Sequence, residues 1–223
     1  MGLKENKQRL FEEVANVCKG AGRKPEEVTI VAVTKYVDSQ TAEELVQAGV
    51  QHLGENRVDK FLEKYQALAD YDLTWHLIGS LQRRKVKDVI NYVDYFHALD
   101  SLKLASEIQK RALHPIKCFL QVNISGEESK HGFRPDQVEE VVQSLKDFDK
   151  LMIVGLMTMA PLGASDSQLA EIFKQTDDLR KFLKGKKIKN MPMEDLSMGM
   201  SGDFPIAIQN GSTFVRIGSS FFN

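Results

Sequence analysis

The chain has 223 residues, 42% of them hydrophobic and 27% charged, with 30 Lys and Arg against 31 Asp and Glu for a formal charge of −1. Those fractions belong to an ordinary globular protein with room for a sizeable core, and the balanced charge excludes the basic surplus with which a nucleic-acid binder displaces counterions. No apolar run approaches the roughly 18 residues of a membrane span, and the charged N-terminus lacks the apolar centre of a secretory signal, so a cytoplasmic chain with neither membrane nor nucleic-acid partners is expected.

In chain order, residues 3–21 place Leu3, Leu10, Phe11, Val14, Val17 and Cys18 at helical spacing, and Gly20 and Gly22 supply a stop. Val28-Thr29-Ile30-Val31-Ala32-Val33-Thr34 follows, nearly unbroken and β-branched, which suits a strand covered on both faces as in parallel sheets. Similar apolar runs begin near 50, 73, 94, 116, 151, 194 and 213, and most intervals hold a charged, helix-like stretch such as 42–48 or 57–68. Eight such βα units, spaced by about 20 to 40 residues, suffice to close a barrel. An open doubly wound sheet, the main competitor, lacks its fingerprint: no Gly-x-Gly-x-x-Gly follows the first strand and no Walker sequence occurs. The chain therefore reads as α/β, a single (β/α)8 TIM barrel over 1–223 in which residues 1–22 form an additional N-terminal helix. Cys18 and Cys118, far apart in apolar company, read as buried free thiols. The histidines at 52, 76, 97, 114 and 131 have no metal-ligand spacing, and no serine-hydrolase elbow is present.

Barrel chemistry gathers at the C-terminal ends of the strands. Lys35 ends the first strand on the alternating face of Val31 and Val33, so it can project into the mouth, although a lone lysine there is more commonly just solvated. Leu196-Ser197-Met198-Gly199-Met200-Ser201-Gly202-Asp203 leaves strand seven and Arg216-Ile217-Gly218-Ser219-Ser220 leaves strand eight. Glycines admit an anion to the backbone, N–H groups and serine hydroxyls donate to it, and a helix opening near Asp203 adds its positive end. Either loop alone would pass for a capped turn; the pair stands where barrels hold phosphate. Arg216, two residues before Gly218, points into the mouth one step below that cradle, unless it is a surface ion-pair arginine. Other mouth candidates are Gly54-Glu55-Asn56-Arg57, His76 to Ser80 and Met157-Thr158-Met159, with Asn56 alternatively a helix cap and the methionines core fillers. An amine facing a phosphate cradle fits a ligand carrying both a carbonyl and a phosphate, either pyridoxal 5′-phosphate or a phosphosugar handled by a Schiff-base enzyme.

Ala32-Val33-Thr34-Lys35, His52-Leu53-Gly54-Glu55-Asn56, Trp75-His76-Leu77-Ile78-Gly79-Ser80-Leu81-Gln82, Gly155-Leu156-Met157-Thr158-Met159, the strand-seven loop and Arg216-Ile217-Gly218-Ser219 closely resemble the YggS/PROSC family of pyridoxal phosphate homeostasis proteins over nearly the whole chain. The resemblance implies the alanine-racemase-type (fold type III) barrel, with Lys35 as the Schiff-base lysine, Asn56 on the cofactor, Ser197, Gly218 and Ser219 on its phosphate and Arg216 facing the pyridine nitrogen. Met157, Met198 and Ser201 complete the candidate cofactor-binding set. Tyr36-Val37-Asp38 departs from the pattern, since many relatives carry a second Lys and a Pro after the lysine, while Lys130 matches a family lysine and is a candidate, with no assigned role, for accepting the aldehyde during transfer.

An arginine opposite the pyridine nitrogen leaves it unprotonated and weakens the ring as an electron sink, though resembling racemases share that device. Length separates the two cases. The eight units and leading helix consume the chain, leaving no room for the second domain with which related racemases complete their acid/base pair. The expected protein stores, buffers or delivers pyridoxal phosphate without strong amino-acid turnover, with apo forms of cofactor-dependent enzymes as transient recipients, and is a monomer. A residual racemase or lyase and a phosphosugar enzyme are the alternatives.

Overall fold

The computed structural model describes residues 2–127 and 130–222. Its eight parallel strands form a closed barrel in chain order: β1 (Thr29–Val33), β2 (His52–Glu55), β3 (Thr74–Leu77), β4 (Tyr95–Leu99), β5 (Ile116–Gln121), β6 (Leu151–Met157), β7 (Asp195–Met200) and β8 (Phe214–Ile217). Closure is made by β1 against β8, with Val31 beside Arg216 and Ala32 beside Ile217. Every strand begins within two residues of the start read from the apolar pattern, because parallel strands covered on both faces leave continuous apolar runs.

The helices α1 (Leu3–Gly20), α2 (Ser39–Gln47), α3 (Val58–Ala67), α4 (Val86–Val89), α5 (Leu102–Arg111), α6 (Val138–Leu145), α7 (Asp166–Lys184), α8 (Phe204–Gln209) and α9 (Ser219–Phe222) follow or precede the strands. Local chemistry starts several of them. Asp38 accepts from Thr41 N at 2.8 Å to open α2, and Ser165 forms a reciprocal capping box with Gln168 on α7. The additional helix α1 buries Leu10, Val14 and Cys18 and is tied to the end of the chain by Asn6 Nδ2, which donates to the Phe221 carbonyl at 3.1 Å. Both cysteines are free and buried, and burial pushes each thiol up.

The barrel interior is packed with rings as well as aliphatic side chains. His76, Tyr95, His97, Phe119 and Phe214 stack and tilt against one another with centroid separations from 4.6 to 6.4 Å. Gly79 permits a close approach above them, since a Cβ there would stand 2.2 Å from the Asn56 carbonyl oxygen. Gly199 bends the end of β7 with φ +97°, a conformation that side chains rarely adopt.

Candidate functional site

Three elements fix the first mouth residue. β1 ends at Val33, and Thr34 continues its pairing by donating its N–H to the Gly54 carbonyl at 3.1 Å. The chain then turns through Lys35 and Tyr36, with Val37 N donating back to the Thr34 carbonyl at 3.1 Å. That same carbonyl accepts from Lys64 Nζ of α3 at 2.8 Å, and Lys64 pairs with Glu55 Oε1 of β2 at 2.5 Å, both side chains fully buried. Thr34 Oγ1 donates to the same carboxylate oxygen at 2.6 Å. Among the described residues Glu55 Oε2 has no hydrogen-bond partner. Lys35 itself is exposed, its Nζ 4.8 Å from the centre of the Tyr36 ring, the residue at which the sequence departs from its resemblance.

Lys35 lines a cavity of about 820 Å³ together with Asn56, Ile78, Gly79, Ser80, Gln121, Lys130, Met159, Ser201, Gly202, Arg216, Gly218 and Ser219, among others. The volume lies within the roughly 300–1,000 Å³ usual for small-molecule sites. Asn56 is not a helix cap: Arg57 occupies that position on α3, without a side-chain cap bond. Ser201 Oγ accepts from Gly218 N at 3.4 Å, joining the two glycine–serine loops, and Asp203 Oδ1 accepts from Met200 N at 2.5 Å. Lys130 pairs with Glu127 and reaches the Met159 carbonyl at 3.4 Å; Glu128 and Ser129 of that segment lie outside the described residues.

Arg216 is 5% exposed, on the floor of this cavity rather than on the surface. Its Nη1 donates to Ser197 Oγ at 2.6 Å and its Nη2 to the Thr158 carbonyl at 3.1 Å. Both acceptors are neutral, and among the described residues no ion pair to a carboxylate is formed. Burial lowers its pKa to about 10, with the Asp203 carboxylate opposing the shift, so the guanidinium remains charged at neutral pH.

Six of the nine candidates, Lys35, Asn56, Ser201, Arg216, Gly218 and Ser219, line the one cavity. Met157, Ser197 and Met198 are buried at 1%, 0% and 0% exposure and are not among its lining residues. Strand β7 runs on to Met200, so Ser197 sits inside the barrel beneath Arg216 instead of in the loop, and Ser201 is the serine that emerges past the strand end. Met157 likewise stays within β6, and the cavity meets Met159. Gln121, at the end of β5 with Nε2 donating to the His131 carbonyl at 3.0 Å, lines the cavity and was missed; a polar residue closing an apolar strand is its sequence signal.

A second missed feature is a file of imidazoles. His52 Nδ1 and His76 Nε2 are 2.9 Å apart, His76 Nδ1 and His97 Nε2 are 2.9 Å apart, and His97 Nδ1 is 2.7 Å from Ser197 Oγ. Among the described residues no group of three or more His, Cys, Asp and Glu is arranged to hold a metal ion. Desolvation pushes His76 and His97 well below their ordinary value of 6.5, helped by His52 and Lys117 for the first and by His76 and Arg216 for the second.

That depression has a sign. The unfolded chain takes up protons below about 6.5 that the fold refuses, so this contribution to stability is whole above that pH and is lost as pH falls. Between pH 7.5 and 5.5 the urea midpoint is expected to drop, with a limiting slope of roughly 1.4 kcal/mol per pH unit for each histidine. A midpoint unchanged over that interval contradicts neutral burial of the two rings.

The described residues contain no helix long and apolar enough to cross a membrane. Compared with known proteins, residues 7–223 match the family described as alanine racemase, N-terminal domain. The pyridoxal phosphate homeostasis protein of Aquifex aeolicus is 37% identical over 225 residues, covering 100% of this chain and 98% of that protein. The structure of PipY of Synechococcus elongatus with PLP bound superposes with a TM-score of 0.83 at 31% identity, covering 94% of this chain and 100% of that one. Alanine racemase of Corynebacterium glutamicum, at 12% identity and a TM-score of 0.73 over 95% of this chain and 60% of its own, shares the fold.

Proposed function

The chain belongs to the YggS/PROSC family of pyridoxal phosphate homeostasis proteins, and from that membership we propose that Lys35 holds the cofactor covalently at the barrel mouth while Ser201, Gly218 and Ser219 hold its phosphate. The protein binds pyridoxal 5′-phosphate and serves its homeostasis; it is not a turnover enzyme. One observation carries the assignment of residues: an amine, an arginine that has no carboxylate partner among the described residues, and two joined glycine–serine loops converge on a single cavity.

These residues fit the group. When bound, the cofactor supplies an aldehyde carbon that condenses reversibly with a primary amine and releases water. Lys35 offers that amine from a turn pinned on its inner side by Lys64 and Glu55. Backbone N–H groups around Gly202 and Gly218, with the Ser201 and Ser219 hydroxyls, would hold the phosphate at the strand ends of this cavity. Arg216 presents fixed N–H donors from the floor and would donate to a pyridine nitrogen held against it, favouring that nitrogen's unprotonated form. The ring would then be a weaker electron sink for α-proton removal, as in the resembling racemases, so the choice of storage or delivery over turnover rests on the family membership and not on this arginine. Asn56 and Gln121 border the same space and orient the ligand from its sides. On this reading Ser197, buried and outside the cavity lining, acts by supporting Arg216 and the phosphate falls to Ser201 and Ser219. The working unit is a cytoplasmic monomer whose recipients are apo forms of enzymes that use the same cofactor.

Loaded protein incubated with L- or D-alanine is expected to give no steady racemisation, whereas a cofactor-dependent apoenzyme mixed with it regains activity as the visible absorbance of the carrier declines. Steady amino-acid turnover that disappears in Lys35→Ala contradicts the carrier function.

A further inference from the structure

The imidazole file crosses the barrel from its foot to its mouth. His52 is the first residue of β2, beside Thr74 of β3, so His76 stands two residues further up; His76 is beside Tyr95 of β4, so His97 stands two residues up again. Each step advances two residues along the strand direction, and successive imidazole centroids are 5.2 and 5.1 Å apart. Ser197 then carries the line across the interior to Arg216.

Proton counting fixes its direction. A neutral imidazole has one donating and one accepting nitrogen, so each link carries one proton and a choice at one link sets the others. Arg216 has only donors, so Ser197 Oγ accepts from it. Among the described residues the Ser197 hydroxyl has two hydrogen-bond partners, Arg216 Nη1 and His97 Nδ1. Its own proton therefore goes to His97 Nδ1, since the oxygen is fully buried and the opposite choice strands that proton without an acceptor. His97 then donates from Nε2 to His76 Nδ1, and His76 from Nε2 to His52 Nδ1. The last proton, on His52 Nε2, comes out at the partly exposed foot of the barrel.

We propose that His52, His76 and His97 are positioning residues for Arg216: a polarised file, each ring protonated on Nε2, that turns a Ser197 lone pair to the guanidinium and couples the mouth to the barrel's opposite end. The burial that keeps His76 and His97 neutral supports the count. The role toward the ligand rests on the cofactor reading above; the tautomers belong to the chain without ligand.

Long-range proton–nitrogen NMR of the full chain with labelled histidine and arginine, without cofactor at neutral pH, tests it. All three rings are expected to show a protonated Nε2 and a bare Nδ1; a proton on Nδ1 of any of them overturns the proposal. His52→Leu removes the acceptor at the foot and is expected to shift the His97 nitrogens and the Arg216 guanidinium, whereas His52→Asn, whose carbonyl replaces Nδ1, keeps both near wild type. Unmoved Arg216 signals in a folded His52→Leu protein overturn the coupling. With pyridoxal phosphate added, the visible absorbance maximum is expected to move in His52→Leu and to stay in His52→Asn. If the wild-type chain takes up no cofactor, the reading of the site fails while the nitrogen shifts still decide the file.

Discussion

Lys35→Ala is expected to abolish the visible absorbance that the wild-type chain acquires with pyridoxal phosphate, and to lower its affinity at least about tenfold, equivalent to about 1.4 kcal/mol. The two glycine–serine loops, Arg216 and Asn56 all survive this change, so on the proposed reading the variant should still take up the ligand weakly and reversibly, and the fold should be untouched because Lys35 is exposed in a turn. Spectral titration beside a thermal melt separates the two effects. Retained absorbance in Lys35→Ala would place the reactive amine elsewhere, with Lys130 the next candidate because it lines the same cavity.

Lys64→Met is expected to cost about 3–5 kcal/mol of stability, the penalty for leaving a buried carboxylate without its cation. Lys64 and Glu55 are both fully enclosed between the sheet and α3, and Lys64 also holds the Thr34 carbonyl from which the Lys35 turn departs. Urea unfolding should show the lowered midpoint, and cofactor capture by the folded fraction should weaken because the turn has lost its anchor. Replacing both partners, as Lys64→Met with Glu55→Leu, is expected to restore most of the stability, since an apolar pair of similar volume carries no unpaired charge. A single variant as stable as wild type would mean that water reaches Glu55, contrary to its complete burial.

The barrel was legible because its strands are buried on both faces and leave unbroken apolar runs, and a barrel's chemistry is confined to strand ends, so position made Lys35, Asn56, Arg216 and Gly218 candidates while the resemblance supplied their roles. Ser197 was misplaced for a local reason: Leu196-Ser197-Met198-Gly199 looks like a loop, yet its backbone remains paired in β7, with Ser197 beside Phe214. The histidine file escaped because its members stand 24 and 21 residues apart, one per βα unit. Short metal-type spacings are the pattern that a search of the sequence finds, whereas contact between neighbouring strands depends on register, and register is set by packing around the whole ring. The Glu55–Lys64 pair was hidden differently. Nothing in a charged helix such as Val58–Ala67 announces which lysine turns inward, and Lys64 does so only because the end of β2 places a carboxylate beneath it.

Hydride reduction of the loaded protein followed by peptide mapping tests the covalent tether most directly. Stoichiometric label on the peptide containing Lys35, absent from Lys35→Ala, is the predicted result; label confined to another lysine, or no label at saturating pyridoxal phosphate, contradicts it.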